Sequence, residues 1–479
     1  MTTISPTRLA GLLGDLSTER PPLYAGLATR LRLLVGDGRL PVGVRLPAER
    51  ELARALHLSR ATVAAAYGRL REDGWADARQ GSGTFTRLPA APSSGLWLPA
   101  PATPGVLDLA HAAPAAPPQV PAAFAAALQD LPRLLPGHGY HPSGLPELRA
   151  RIAEYYSRRG LPTTTEHVLV TNGALHGISV AVETLVPRGG RVLVEHPSYP
   201  NALDAVREQG RRTVPVSVSP ADPDAVARDV HRAVRASSPH AAYLMPDFQN
   251  PTGLLLDETQ RRRLAVGLEQ TGVVAIVDET LVDLGLDAEA PTPFAAVARP
   301  HLAVTVGTMS KSFWGGLRVG WLRAEPETVQ RLAAVAGRAQ MSGPVLEQLA
   351  ACHLLDAAAD VLAARGAALR DQRRALLDAL ARRLPDWEAP VPPGGLVVWC
   401  RLPSGSSTTV VSAAAGRGLL LAAGPRFGTG HSFDDRLRLP YTQPVPVIEA
   451  AVELLAEVVA DLPQRSAGAT RDHAEQVVV

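Results

Sequence analysis

The stretch "TVGTMSKSFWGGLRVGW", residues 305–321, contains Lys311, the one lysine among 479 residues. The remaining basic residues are all arginines. Arginine replaces lysine as a surface charge. It does not replace it as an amine that must shed a proton and attack a carbonyl. The plain alternative is a leftover lysine in a surface loop, so the neighbours decide. Lys311 follows the β-branched run "LAVTVGT" at 302–308, which places it at the carboxyl end of a predicted strand.

The length implies more than one domain, and 46% hydrophobic residues suffice for globular cores. Two cysteines, Cys352 and Cys400, argue against a disulfide framework and for the reducing cytoplasm. No signal pattern opens the chain, and no apolar run approaches membrane-spanning length. No metal-ligand cluster stands out, so no metal is expected. Residues 1–90 hold 13 Arg against 8 acidic residues, a net of +5, while the rest carries −3. A basic first module on a mildly acidic body points to a polyanion partner for that module.

The Pro-, Ala-, Ser- and Gly-rich stretch from 88 to about 120 lacks any sustained period and is expected to be a semi-extended linker. Before it, "LYAGLATRLRLLVGDGRL" predicts a helix and "VGVRLP" a short strand. "AERELARALHL" and "SRATVAAAYGRLREDG" predict two more helices, the last with Ser59 as its N-cap. "WADARQGSGTFTR" alternates around a Gly-Ser-Gly turn, as a two-stranded wing does. This order is a winged helix-turn-helix. Arg60 and Thr62 open the recognition helix, Arg45 and Arg50 are placed for phosphates, and the Gly81–Ser82–Gly83 tip can approach a DNA backbone.

After the linker, "HVLVT", "RVLVEH", "AAYLMP", "VVAIVDE", "LAVTVGT" and "RVGWLRA" alternate with helical patterns. They predict an α/β body with a doubly wound parallel or mixed sheet, which binds ligands at the carboxyl ends of its strands. Chemistry-bearing residues fall at those ends. Asp278 can hold a protonated pyridine nitrogen, Asn250 can donate to a phenolate, and Tyr199 can stack on a flat ring. Gly173, Ala174 and Leu175 open a helix whose amides suit a phosphate. Thr308, Ser310 and Arg318 add hydroxyls and a guanidinium for the same phosphate. With the Lys311 amine for an imine, this is the requirement list of pyridoxal 5′-phosphate.

Residues 21–87 resemble the winged-helix domain of the GntR family of bacterial repressors, which implies DNA contacts at Arg45, Arg50, Ser59, Arg60, Thr62 and the Gly81–Gly83 wing. Residues 108–465 resemble the fold-type I aminotransferases, with a smaller α+β C-terminal subdomain. That resemblance implies an internal aldimine at Lys311, stacking by Tyr199, ring contacts from Asn250 and Asp278, and a phosphate contact from Arg318. It further implies that Tyr140, in "GYHPSG", reaches the phosphate of a second subunit in a homodimer. Arg438, in "RLRLPY", is implied as the clamp for an amino-acid carboxylate. One departure stands out: Thr280 and Leu281 occupy "DETLVDL", where many of these enzymes carry a tyrosine for the cofactor's phenolic oxygen.

Together the halves resemble the MocR subfamily of regulators. The expected layout is a DNA-binding domain at 1–88, a linker at 89–107, the pyridoxal-phosphate-binding body at 108–465 and a tail at 466–479. The expected function is regulation: a cytoplasmic homodimer on double-stranded operator DNA senses pyridoxal phosphate, an amino acid or an amine through Lys311. The alternatives are a working aminotransferase with a DNA-binding appendage and a scaffold that holds no cofactor.

Overall fold

The computed structural model describes residues 3–14, 23–36, 39–72, 75–79, 83–87, 105–289, 291–429 and 432–462. Gly81, Ser82, most of the expected linker and the expected tail lie outside the described residues.

The N-terminal module contains α1 (Pro6–Leu13), α2 (Leu23–Gly36), α3 (Glu49–Ala55), α4 (Arg60–Glu72) and the antiparallel pair β1 (Ala76–Arg79) and β2 (Gly83–Thr86). Its core gathers Leu9, Leu27, Leu31, Leu52, Val63, Ala66 and Tyr67. The Tyr67 hydroxyl, deep in this core, donates to Pro47 O at 3.0 Å. Ser59 caps α4 as expected, its Oγ accepting the Thr62 N–H at 3.0 Å. Two details differ from the sequence reading. The expected strand at 42–47 is reduced to isolated bridges at Arg45, parallel to Thr3 and antiparallel to Phe85, with Pro41 and Pro47 at its two ends. In addition, α1 forms ahead of the expected first helix. Ser5 caps it, Pro6 opens it, and Leu9 and Leu13 are buried.

The body begins earlier than the longest linker reading allowed. β3 (Leu107–Leu109) pairs in parallel with a C-terminal strand, and the prolines at 114–118 precede α5 (Gln119–Asp130). There follow α6 (Pro146–Arg158), β4 (Val168–Thr171), α7 (Ala174–Leu185), β5 (Arg191–His196), α8 (Pro200–Glu208) and β6 (Arg212–Ser217). Next come α9 (Pro223–Ser237), β7 (Ala241–Leu244), α10 (Glu258–Glu269), β8 (Val274–Asp278), α11 (Phe294–Val297), β9 (Ala303–Thr308) and β10 (Gly320–Arg323). These strands form a seven-stranded sheet in the order β4-β10-β9-β8-β7-β5-β6. Only β10 runs antiparallel to its neighbours. Its central strands are buried on both faces, which is why they read as unbroken apolar runs.

The rest comprises α12 (Pro326–Ala339), α13 (Val345–Asp356), α14 (Ala358–Arg383), β11 (Val397–Arg401), α15 (Ser407–Ala415), β12 (Leu419–Ala423), β13 (Arg436–Pro440) and α16 (Val445–Ala460). A four-stranded sheet, β11-β13-β12-β3, packs there on α14 and α16. Arg39 of the N-terminal module donates to Thr408 Oγ1 of α15 at 3.1 Å. Among the described residues no helix is long and apolar enough to cross a membrane.

Gly307 of β9 sits opposite Trp321 of β10. A Cβ at Gly307 would come within 2.2 Å of the indole, whose Nε1 is already bonded to Tyr156 Oη at 3.1 Å. Gly307→Ala is expected to destabilise the body by about 1–3 kcal/mol, read as a lower thermal midpoint.

Candidate cofactor site and nucleic-acid interface

Strands β4, β5, β7, β8 and β9 each deliver a functional group at or just after their carboxyl ends. Asp278 ends β8 and is 4% exposed. Its Oδ1 accepts the Thr280 N–H at 2.9 Å, and its Oδ2 accepts the Tyr243 hydroxyl at 2.5 Å. Burial pushes this carboxyl above its usual range. The Tyr243 and Thr280 donors and the Lys311 charge pull the other way.

Lys311 follows β9. Part of its side chain reaches the cleft, while the amine is surrounded by protein and donates to Ala112 O at 2.9 Å. Burial, then the nearby Arg438 cation, push its pKa down to about 8 against the opposing pull of Asp278. A buried amine poised there is a competent nucleophile near neutral pH. Ser312, next in the chain, is buried and donates to Asp283 Oδ2 at 3.1 Å. Asp283 also accepts the Tyr155 hydroxyl at 2.7 Å, so the Lys311 turn is held from behind.

At the other side of the cleft, Gly173 precedes α7 with φ +81°. A Cβ there would lie 2.8 Å from Arg318 Nη2. Arg318 itself adopts φ +52°, unusual for a side-chain-bearing residue, and donates to Asn172 O at 2.9 Å. Gly320 abuts the same loop: a Cβ on it would meet Gly173 Cα at 2.8 Å and Ala174 N at 2.9 Å. The first-turn amides of α7, at Ala174 and Leu175, therefore share a cup with the Arg318 guanidinium. Thr308 Oγ1 donates to Val319 O at 3.1 Å and accepts the Ser310 N–H at 3.2 Å, tying both hydroxyl residues to that corner.

Arg438 lies on β13 with 3% exposure. Its guanidinium stacks 4.8 Å above the Phe427 ring and donates to Asn250 Oδ1 at 3.3 Å and to Ala110 O. Tyr199 precedes α8 and accepts from Asn201 Nδ2 at 3.1 Å, within the electrostatic reach of Asp278, Arg438 and Arg318. Tyr140 stands apart: its ring is about half exposed and stacks on His138 at 5.7 Å. Sequence reading missed Tyr243, Glu195, Phe427 and Asp283. Tyr243 and Glu195 lie inside apolar strand runs, where a lone polar residue carries no period of its own. A phenol and a carboxylate within buried strands were the available signal.

The donor set fits pyridoxal phosphate. The cleft offers an amine, a buried carboxylate for a ring nitrogen, an amide, an aromatic ring, and a cup of amides, hydroxyls and guanidinium too tight at Gly173 for any side chain.

In the N-terminal module, Ser59 and Thr62 hydroxyls lie 2.8 Å apart at the start of α4. Arg60 is exposed there and pairs with Glu49 at 3.4 Å. An open groove is lined by Arg50, Arg54, His57 and Arg60, so the turn before α4 adds Arg54 and His57, which the sequence reading did not single out. The Arg45 guanidinium lies against Gly83, where a Cβ would be 3.0 Å from its Nε. Arg45 thus stands at the wing.

The chain belongs to the aminotransferase class I and II family, whose profile matches residues 106–454, and its residues 23–86 match the bacterial regulatory proteins of the gntR family. It is 32% identical over 353 residues to a 2-aminoadipate transaminase of Thermus thermophilus, covering 71% of this chain and 86% of that one. The solved structure of LysN, alpha-aminoadipate aminotransferase from the same organism, complexed with N-(5′-phosphopyridoxyl)-L-leucine, superposes with a TM-score of 0.68. The identity is 28%, covering 75% of this chain and 93% of that one. The pyridoxine biosynthesis regulator PdxR of Corynebacterium glutamicum is 28% identical over 439 residues, covering 86% of this chain and 93% of that protein. A GntR domain followed by a fold-type I aminotransferase domain is the MocR-type architecture expected from the sequence.

The one lysine permits a direct test of the site. Neutral amine, the reactive form, predominates above its pKa. Amine-selective labelling of Lys311, followed by peptide mass, is therefore expected to rise with a midpoint near pH 8. An exposed lysine would give a midpoint about two units higher.

Proposed function

We propose that the chain is a DNA-binding transcription regulator whose aminotransferase-like body senses pyridoxal phosphate, or an amino compound exchanging onto it, at Lys311. One observation carries this reading: a GntR-type module is joined to a cleft that retains Lys311, Asp278 and Arg438 together. When bound, the cofactor supplies an aldehyde for amines and an electron-withdrawing ring. Lys311 provides the amine, Asp278 the anion for the ring nitrogen, Asn250 an amide and Tyr199 a flat face. Gly173, Ala174, Leu175, Thr308, Ser310 and Arg318 hold the phosphate. Arg438 takes the carboxylate of an amino-acid effector.

A physical route to the DNA-binding module supports regulation. Ala110 and Ala112, whose carbonyls accept from Arg438 and Lys311, lie just after β3, where the chain enters the body from the linker. A ligand carboxylate at Arg438 competes directly with Ala110 O. Engaging the site thus acts on the root of the linker, and a ligand that prefers one arrangement of module and body would shift the chain toward it. The domain limits we assign are 1–88, 89–107, 108–465 and 466–479. We assign DNA contacts to Arg45, Arg50, Ser59, Arg60, Thr62 and the 81–83 wing tip.

A homodimer completes this reading. Tyr140 is exposed beside the loop at 340–343, where His141 N–H meets Ser342 Oγ at 3.1 Å and Met341 is 61% exposed. A second subunit would cover this surface and receive Tyr140. The winged helices of two subunits then read two half-sites of an operator.

Arg438 also favours a second reading, a working aminotransferase with a DNA-binding appendage, since an amino acid would dock in the same way. Thr280 and Leu281 weigh against it.

The test is visible absorbance of purified protein with pyridoxal phosphate, followed by amino acids and 2-oxo acids. A band fixed by borohydride at Lys311 is expected, and Lys311→Arg is expected to abolish it. Operator affinity should change with cofactor or amine for the wild type, and Lys311→Arg should remove that response. Identical DNA affinity for apo-protein, holo-protein and every amine tested would refute sensing. Steady product formation would favour the enzyme.

A further inference from the structure

The ring-nitrogen end of the cleft holds more than Asp278. Tyr243 lies on β7, and β7 pairs in parallel with β8, placing Tyr243 opposite Ile276 and two residues short of Asp278. Its hydroxyl meets Asp278 Oδ2 at 2.5 Å, and both residues are buried. On the far side of β7, Glu195 near the end of β5 is 2% exposed. Glu195 accepts the Met245 N–H at 2.9 Å and the Gln249 amide at 3.0 Å. A phenol and two carboxyls thus span the carboxyl ends of three adjacent strands. The groups facing Asp278 are Tyr243, the Thr280 amide, Lys311, Tyr199 and Glu195.

This arrangement poses an electrostatic question. A protonated ring nitrogen needs an anion, yet burial drives Asp278 toward its neutral form. Glu195 does not add a second charge at low pH. Burial pushes its pKa up to about 7, with Asp278 contributing to the rise. Two buried carboxylates that act on each other repel; each has two donors, but the Lys311 cation acts on Asp278, so Asp278 ionises first. Asp278 has a phenol on one oxygen and an amide on the other. The phenol is itself held well above its usual pKa by burial, so it stays a donor.

We propose that Tyr243 is a positioning residue: its hydroxyl fixes Asp278 Oδ2 and holds that carboxyl ionised, so that Asp278 meets the ring nitrogen of pyridoxal phosphate as an anion. This rests on the cofactor reading above. It also bears on the departure at Thr280 and Leu281. Where many of the enzymes it resembles place a tyrosine for the phenolic oxygen, this chain has a phenol on the carboxyl that would meet the ring nitrogen.

The full-length chain is titrated with pyridoxal phosphate, and the bound chromophore's spectrum is followed against pH. Tyr243→Phe removes only the hydroxyl. It is expected to weaken cofactor binding about ten-fold or more, the scale of a hydrogen bond to a charged group, and to displace the pH midpoint of the chromophore. In an Asp278→Asn background the same substitution should change affinity less than about two-fold, because the effect passes through the carboxylate. Wild-type affinity and an unmoved midpoint in Tyr243→Phe would overturn the proposal. So would an equal loss with and without Asp278, which marks a packing effect. Should the Phe variant fail to fold, Tyr243→His keeps a donor at that place and should bind within a few-fold of wild type. A loss as deep as that of Asp278→Asn would then overturn the proposal. A wild-type chain that takes up no cofactor would sink the underlying reading, a result distinct from either.

Discussion

Lys311, Arg318 and Arg438 bring three basic groups to one cleft, where the buried Asp278 carboxyl acts on Lys311 and Asp108 acts on Arg438. Two are enclosed by protein, where unscreened charge is costly. The fold moderates this cost from within. Lys311 is shifted toward its neutral form, Arg438 is spread over the Phe427 face and bonded to Ala110 and Asn250, and Glu195 is pushed toward neutrality. The Arg318 and Arg438 guanidiniums stand where ligand anions would meet them. A phosphate at the α7 end and a carboxylate at the β13 end would each answer one arginine.

The backbone makes this spacing possible. The phosphate cup exists because Gly173 and Gly320 let the β4–α7 loop and β10 touch, with Arg318 in a left-handed conformation between them. A side chain at either glycine would push the guanidinium and the helix start apart. The strain at Arg318, on the order of 1–3 kcal/mol, persists because packing on both sides enforces it. Strand β10 runs against its neighbours, so its first residues return to the same sheet edge that β4 and β9 reach at their ends. Chain reversal at 309–319 therefore sets Lys311 and Arg318 at two corners of one cleft.

Much of this was legible in the sequence for identifiable reasons. Strands buried on both faces leave unbroken β-branched runs, and their ends mark the ligand side. Lys311 was legible because no other lysine masks it. Gly173, Asp278 and Arg318 sit in loops or at strand ends, where a polar or glycine residue is conspicuous. Tyr243, Glu195 and Phe427 were not, because their partners are 35, 54 and 11 residues away in sequence and pair only through the fold. The strand expected near Arg45 shrank to isolated bridges from Arg45 to Thr3 and Phe85, with a proline on either side. The β3 segment was hidden in the linker, since three residues carry no measurable alternation, and only pairing with β12 reveals them as sheet.

Leu281 belongs to the core behind the site. It is 8% exposed and packs in the core with Phe248, Leu284 and Leu396, so a position available to a phenol serves packing instead. Asp278, three residues earlier, has a donor on each oxygen. Catalysis gains only from contacts that strengthen in the transition state, whereas contacts felt equally by the ground state give affinity. Asp278, the α7 cup and Arg438 would engage parts of a ligand that carry their charge throughout. Holding a ligand changes DNA affinity only where the two states of a regulator hold it differently, so a contact such as Arg438 with Ala110 O, at the root of the linker, is where such a difference would arise.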